Sequence, residues 1–363
     1  MRVLVTGGTS LIARATIERL ISRGDAVTTM QRRPGHPPAG VVEVLGDIAD
    51  EVALSRAVAG QEAVIHVAAK VDVVGSWREF ERVNVVGTGR VLTAARAAGV
   101  TRFVHVSSPS VAHGGGSFIG AGADAADPRI TRGHYATTKA MAERAALAAV
   151  GPDFAVVAVR PHLVWGPGDT QLVGRIVDRA RSGRLAVVGS GGALVDTTYL
   201  DNAAGALVAA LDRAPALTGR AFVISNGEPR PIRELLERIV VAAGLELPRV
   251  KVPRSVAFLA GLVAEKAWTA SGRTDEPPIT SFLAEQLSTA HWFDQRMTRE
   301  ALGWSPTVGI DEGLRRLAEW YAAGGGRRVP CSDGSCHRPG PHSVERGPGR
   351  RGSNGAGFHR EPL

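Results

Sequence analysis

Two cysteines in 363 residues leave no disulfide framework to hold this chain together. Both of them, Cys331 and Cys336, lie with His337 near the C-terminal end. No second Cys/His pair accompanies them at metal-ligand spacing, so no metal site is expected. No apolar run approaches the ~20 residues that span a bilayer. Met1 to Val5 already reads as a buried strand, which leaves no room for a signal peptide and makes a cytoplasmic protein the expectation. No fixed period recurs, which excludes a solenoid. Tyrosines number three and lysines four, so the position of each carries information.

Acid is also in short supply: 35 Asp and Glu face 43 Lys and Arg, a formal net charge of +8. From Gly324 to Leu363 seven arginines stand against three acids, so half of that excess sits in a stretch rich in Gly, Pro, Ser and Arg with little to pack. Residues 322–363 read as a disordered basic tail, a solvated appendage, and no nucleic-acid partner is expected. The remaining chain, in a sequence that is 44% apolar, is ample for a core without a staple.

What is present is an alternation. Apolar, β-branched runs occur at Val3–Val5, Ala26–Thr29, Val41–Leu45, Ala63–Val67, Phe103–Val106, Phe154–Val159 and Ala221–Ser225. Helical patterns at Ile12–Arg23, Val52–Ala59, Phe80–Ala98 and Tyr135–Val150 fall between them. Continuously apolar strands separated by helices predict a parallel sheet covered on both faces, the doubly wound, Rossmann-like α/β fold. Its ligands bind beyond the carboxyl ends of the strands. The expected organisation is a dinucleotide-binding domain over residues 1–226, with 166–195 contributing to a smaller, mostly helical substrate lobe over 227–321. Within that lobe Val256–Val263 is apolar; a plain core helix is the expectation, and a helix lying on a membrane surface is the alternative.

Directly after the first strand come Thr6, Gly7, Gly8, Thr9, Ser10, Leu11 and Ile12, opening a helix. Such a turn serves a pyrophosphate, because small residues let the backbone approach and the helix start supplies free N–H groups. At the end of the second strand, where Asp or Glu would select NAD(H), stand Gln31, Arg32 and Arg33. Two guanidiniums suit a 2′-phosphate, which favours NADP(H) and leaves NAD(H) as the second choice.

Tyr135 and Lys139 are four apart on a helix-forming stretch and therefore share one helix face. A phenol is a poor acid–base at neutral pH, and an adjacent ammonium favours its ionised form. Upstream, Phe103–Val106 runs into Ser107-Ser108-Pro109-Ser110, where a hydroxyl could orient a reacting oxygen.

With these residues the sequence resembles the extended short-chain dehydrogenase/reductases, and within them the 3-beta-hydroxysteroid dehydrogenase group with its bacterial 2-alkyl-3-oxoalkanoate reductases. The resemblance runs from Arg2 to about Tyr321. It rests on Val5–Gly8, Leu45-Gly46-Asp47, His66–Ala69, Val83–Thr88, Ser107-Ser108, Tyr135–Lys139, Val159-Arg160-Pro161, Trp165–Asp169, Thr198–Asn202 and Leu302–Pro306. It implies that Ser108, three residues before Val111, polarises the substrate oxygen, with Ser107 as the fallback. Tyr135 is then the general acid or base, Lys139 lowers its pKa and holds ribose, and Asn84 helps organise the site. Asp47 and Ile48 match the adenine position, and Ala68, Ala69 and Pro161 lie in segments beside the cofactor. Of the two departures from Gly-x-x-Gly-x-x-Gly, Ala13 at the third position costs little, whereas Ser10 puts a side chain next to the pyrophosphate. Nucleotide-sugar epimerases and dehydratases resemble this chain too, but they carry Arg where Val195 stands, and dehydratases an acidic pair where Pro109 and Ser110 stand. The implied activity is a hydroxyl/ketone interconversion on a large lipophilic substrate by a homodimer. A non-catalytic dinucleotide sensor is the reading from another class, against which the Tyr135–Lys139 pair counts.

Overall fold

The computed structural model describes residues 1–71, 75–247, 250–271 and 280–326; Cys331, Cys336, His337 and the rest of the basic tail lie outside the described residues. Seven parallel strands form the main sheet: β1 Arg2–Thr6, β2 Ala26–Gln31, β3 Val42–Leu45, β4 Ala63–His66, β5 Arg102–Val106, β6 Ala155–Pro161 and β7 Ala221–Ile224. Their order is β7-β6-β5-β4-β1-β2-β3. The chain reverses its direction of winding between β1 and β4, which pair with Thr6 opposite His66. Such a switch point opens a crevice at the carboxyl ends of the strands.

The principal helices are α1 Leu11–Ser22, α2 Glu51–Val58, α3 Thr88–Ala97, α4 Gly133–Ala148, α5 Val173–Arg181, α6 Leu200–Leu217, α7 Ile232–Ala242, α8 Arg254–Ala270 and α9 Ile310–Ala322. Alternate strand residues serve opposite faces. Val3, Val5, Val104 and Val157 join Ile17 of α1 with Leu207 and Leu211 of α6 in one core layer. Leu4, Phe103 and Val156 join Leu54, Val91 and Ala146 of α2, α3 and α4 in the other. Burial on both faces is why these strands read as unbroken apolar runs.

Three features depart from the periodicity. The helical stretch expected over Phe80–Ala98 is divided: Trp77–Phe80 is α-helical, Glu81–Gly87 is a π-helical turn, and α3 follows. Such wide turns concentrate at functional sites, and this one carries Asn84. The C-terminal part is helical as expected, yet its Arg230–Pro231 and His291–Phe293 join Leu194–Val195 and Phe118–Ala121 in a four-stranded sheet. Strands of two to four residues leave no period to read. Finally, Val256–Val263 is not a core helix. Only Ala257 and Gly261 among its residues are buried, and Val256, Phe258, Leu259, Leu262 and Val263 are exposed.

Candidate active site

The glycine turn lies flush against its neighbours. Gly7 has φ +72°, and a Cβ there would stand 2.9 Å from the backbone of Ala68. A Cβ on Gly8 would overlap the Thr29 hydroxyl. Ser10, the departure from the triple-glycine pattern, is the N-cap of α1: its Oγ accepts from the Ala13 N–H at 3.4 Å and its own N–H donates to Gly7 at 3.0 Å. The side chain therefore turns toward the helix end, its hydroxyl proton remains available, and Leu11 and Ile12 follow as the leading donors of α1. Buried Ala13 packs α1 on the sheet. These residues fit a pyrophosphate. Gly8→Val is expected to abolish dinucleotide binding, measured as loss of cofactor fluorescence enhancement, because the branched side chain would collide with Thr29; binding retained within about threefold would contradict that packing.

Below the turn, Thr6 Oγ1 accepts from the Ala68 N–H at 3.2 Å and bonds His66 Nδ1 at 2.8 Å, while His66 Nε2 meets Thr88 Oγ1 at 3.0 Å. Burial, with the Lys139 charge, holds His66 down to about 3, so the imidazole is neutral and fixes one donor and one acceptor. This chain of bonds ties the ends of β1 and β4 to the start of α3.

At the end of β2, Gln31 is buried, accepting from Thr29 Oγ1 at 2.7 Å and donating to Glu43. Glu43 also accepts from the Gly35 N–H at 2.7 Å. Arg32 and Arg33 are exposed. Glu43 is a carboxylate that sequence reasoning missed; its signal was one acid inside the β3 run. Asp47 Oδ1 accepts from the Ala49 N–H at 2.9 Å and Oδ2 from Arg82 at 3.3 Å, and Ile48 beside it is buried. Ala68 and Ala69 are half-buried just past β4.

The chemical end lies where β5 stops. Ser107 turns inward, its Oγ buried without a partner. Ser108 turns the other way: its Oγ meets Ser110 Oγ at 2.9 Å and lies on the side of the Tyr135 hydroxyl. Burial pushes the Tyr135 phenol up, and the Ser108 bond pulls it partly back. Lys139, one turn along α4, is buried and donates to the Val106 carbonyl at 2.6 Å, with His105 Nε2 at 3.4 Å. Burial pushes its ammonium down to about 8. Burial is the larger influence on the Tyr135 phenol.

Asn84, buried in the π-helical turn, accepts from the Lys70 N–H at 2.7 Å and donates to the Lys70 carbonyl and to Thr138 Oγ1, each at 3.1 Å. These bonds lock the segment after β4 to α4.

The model of the 3-beta hydroxysteroid dehydrogenase/isomerase family matches residues 4–254. The chain belongs to that family. It is 43% identical over 330 residues to a 2-alkyl-3-oxoalkanoate reductase of Stenotrophomonas maltophilia (strain K279a), covering 89% of this chain and all of the relative (100%). It is 32% identical to a sterol-4-alpha-carboxylate 3-dehydrogenase, decarboxylating, of Homo sapiens, with 88% of each chain covered. Among solved structures it resembles MoeE5 in complex with UDP-glucose and NAD, at TM-score 0.70 and 25% identity, covering 89% of this chain and 99% of that one. This member of the 3-beta hydroxysteroid dehydrogenase/isomerase family is an NAD(P)-dependent oxidoreductase acting on CH–OH groups.

Two further groups of this dehydrogenase were not foreseen. Glu143 follows Tyr135 and Lys139 at the same spacing of four on α4, and its buried carboxylate receives Arg160 Nε at 2.9 Å and Nη2 at 2.5 Å. Arg160, just before Pro161 in β6, also donates to the Asp124 carbonyl at 2.8 Å. Beyond Pro161, His162 bonds the Asp196 carbonyl at 2.5 Å, and its ring meets Phe293 edge-on at 5.0 Å between centroids. The spacing of four along α4 was the available signal for Glu143; its partner is 17 residues away and only folding finds it.

Proposed function

We propose that this chain interconverts a ketone and a hydroxyl on a large lipophilic substrate, a long-chain 3-oxo acid or a 3β-hydroxysteroid, through Ser108 and Tyr135. The observation that carries the reading is the convergence, where β5 ends, of Ser108, whose Oγ is held by Ser110 at 2.9 Å and whose proximity bears on the Tyr135 phenol, with Lys139, whose ammonium donates to the Val106 carbonyl at 2.6 Å. A nicotinamide held at the glycine turn would supply or take back the hydride. Ser108, oriented by Ser110, donates to the substrate oxygen, while Tyr135 delivers its proton to that oxygen in reduction and removes it in oxidation. Lys139 sits one helical turn away, beside the Val106 carbonyl, and would hold the nicotinamide ribose. Residues 1–226 would hold the dinucleotide and 227–321, with 166–195, the substrate. A homodimer joined through α4 and its neighbour, acting in the cytoplasm, completes the reading.

A lipophilic substrate is supported by the names of the relatives and by Val195, which is buried in the small-lobe core with Trp165 and Tyr199 and offers nothing to a diphosphate. The epimerase alternative lacks that anchor. NADP(H) is favoured by Arg32 and Arg33, exposed just past Gln31, while Glu43 is held by Gln31 and Gly35. The deciding experiment is an initial-rate assay of long-chain 3-oxo acids and 3β-hydroxysteroids with both nicotinamide cofactors, on the wild-type chain and on Arg32→Ala/Arg33→Ala. Each lost charge-assisted bond costs roughly 1.5–3 kcal/mol, so KM for NADPH should rise by about tenfold or more in the double variant and KM for NADH should hold. Equal changes for both cofactors would remove the 2′-phosphate assignment, and absence of turnover with every ketone and alcohol would favour the sensor.

A further inference from the structure

Leu163 stands in a backbone conformation that favours glycine. It follows His162 just past the carboxyl end of β6 with φ +44°, one of two residues other than glycine in the left-handed region among the described residues. That region suits Gly first and Asn or Asp next, because a Cβ crowds the backbone there. The main chain on either side is pinned. The His162 N–H donates to the Ile224 carbonyl at 2.9 Å, the Thr198 N–H to the Leu163 carbonyl at 3.2 Å, and Thr198 Oγ1 to the His162 carbonyl at 2.7 Å. Directly afterwards Val164 and Trp165 pair with Thr198 and Tyr199. The surrounding fold therefore dictates the conformation, and the leucine bears the strain.

Its side chain gains little from folding to offset that strain. His162 and Trp165 on either side are buried, yet Leu163 is 36% exposed and joins none of the apolar cores of the described residues. Its place in the fold says what it borders. β6 flanks β5 on the side away from the glycine turn, and the Ser107 N–H donates to the Val159 carbonyl at 2.7 Å. The residues that follow Pro161 thus leave the sheet beside Ser107 and Ser108. Further along the same segment, a Cβ on Gly168 would stand 3.7 Å from the Leu11 side chain at the start of α1. Leu163 lies on a span that has Ser108 near one end and the glycine turn near the other. An apolar side chain kept there against the backbone preference, outside every core, suits contact with an apolar ligand in the crevice.

We propose that Leu163 is a specificity-determining residue, whose side chain forms an apolar wall for the carbon skeleton beside the reacting carbon of the substrate. The inference rests on the reaction proposed above and deepens it by naming a residue that selects for a lipophilic substrate. An acyl chain or a sterol ring loses only apolar surface against such a wall. A sugar would bury hydroxyls there with nothing to bond. Asn would fit the backbone better and would offer an amide to those hydroxyls, so leucine at this position trades conformational ease for selectivity.

The test compares Leu163→Gly, Leu163→Asn and Leu163→Met in the full chain. Melting temperature is read beside initial rates of oxidation of a long-chain 3-hydroxy acid, 3-hydroxyhexadecanoate, and of a 3β-hydroxysteroid. Leu163→Gly and Leu163→Asn relieve the backbone, so both should melt at or above the wild-type temperature. In the same two variants KM for the substrate that the wild-type chain turns over should rise by about tenfold or more, the worth of one covered leucine, while KM for the nicotinamide cofactor moves by less than about threefold. Leu163→Met keeps both the strain and the apolar surface and should give back most of the lost affinity. Substrate KM within about threefold of wild type in Leu163→Gly overturns the proposal. So does a lowered melting temperature in Leu163→Gly and Leu163→Asn together with the raised KM, which would make the leucine part of the packing. A change confined to cofactor KM would set it against the nicotinamide, also against the proposal. A wild-type chain that turns over no alcohol or ketone removes the proposed reaction and this contact together, whereas the other adverse outcomes strike the contact alone.

Discussion

Tyr135→Phe is expected to lower turnover by roughly 10²–10⁴-fold, the range that positioned acid–base groups contribute, while cofactor binding and melting temperature stay close to wild type. The variant removes one oxygen from a half-buried ring and leaves α4 intact, so little but proton transfer is lost. Ser108 would keep its bond to Ser110 at 2.9 Å and hold a substrate oxygen without a proton donor. The raised pKa of Tyr135 adds a direction to the test. Reduction needs the neutral phenol, which burial favours, so kcat/KM for the ketone should be flat through neutral pH and fall only in the alkaline range. Oxidation needs the ionised form and should climb with pH over the same alkaline range. Turnover in Tyr135→Phe within about threefold of wild type, or an oxidation rate that rises toward acid, would transfer the role elsewhere.

The second large effect concerns stability. Arg160→Met is expected to cost about 3–5 kcal/mol, because it strands the Glu143 carboxylate in a dry interior. Both side chains are essentially out of contact with water, at 1% and 0% exposure. Arg160→Met/Glu143→Leu should recover most of that loss, since a buried ion pair exchanged for packed apolar groups is often neutral. Urea midpoints of the two variants decide it: equal destabilisation would mean that the pair contributes packing alone. The double variant also loses the donation to the Asp124 carbonyl. Turnover that stays low when stability returns would identify Arg160 as a positioning residue for the loop beside the site.

The seven-stranded sheet was legible because all of its strands but the edge strand β3 are buried on both faces and so betray themselves as apolar runs, and the glycine turn because a pyrophosphate cradle allows few side chains. Tyr135 and Lys139 were legible as a pair because helix geometry alone puts residues four apart on one face. The choice between Ser107 and Ser108 was not decided by the residues themselves. Successive positions at a strand end point to opposite sides, and only the fold says that one enters the core while the other meets Tyr135. The short strands Phe118–Ala121 and His291–Phe293, which pair across more than half of the described chain, carry too few residues to announce a sheet.

Local patterning, then, was settled by the sequence: where strands and helices form, where the backbone must turn tightly, which side chains share a helix face. These depend on neighbours within a few residues, so periodicity and steric demand suffice. The partners of those side chains were settled by tertiary structure. Lys139 donates a hydrogen bond to the Val106 carbonyl, Glu43 reaches Gln31 from the adjacent strand, and the apolar strip of α8 faces outward. Hydrophobicity records what a residue would bury, whereas strand order and packing determine what is there to cover it.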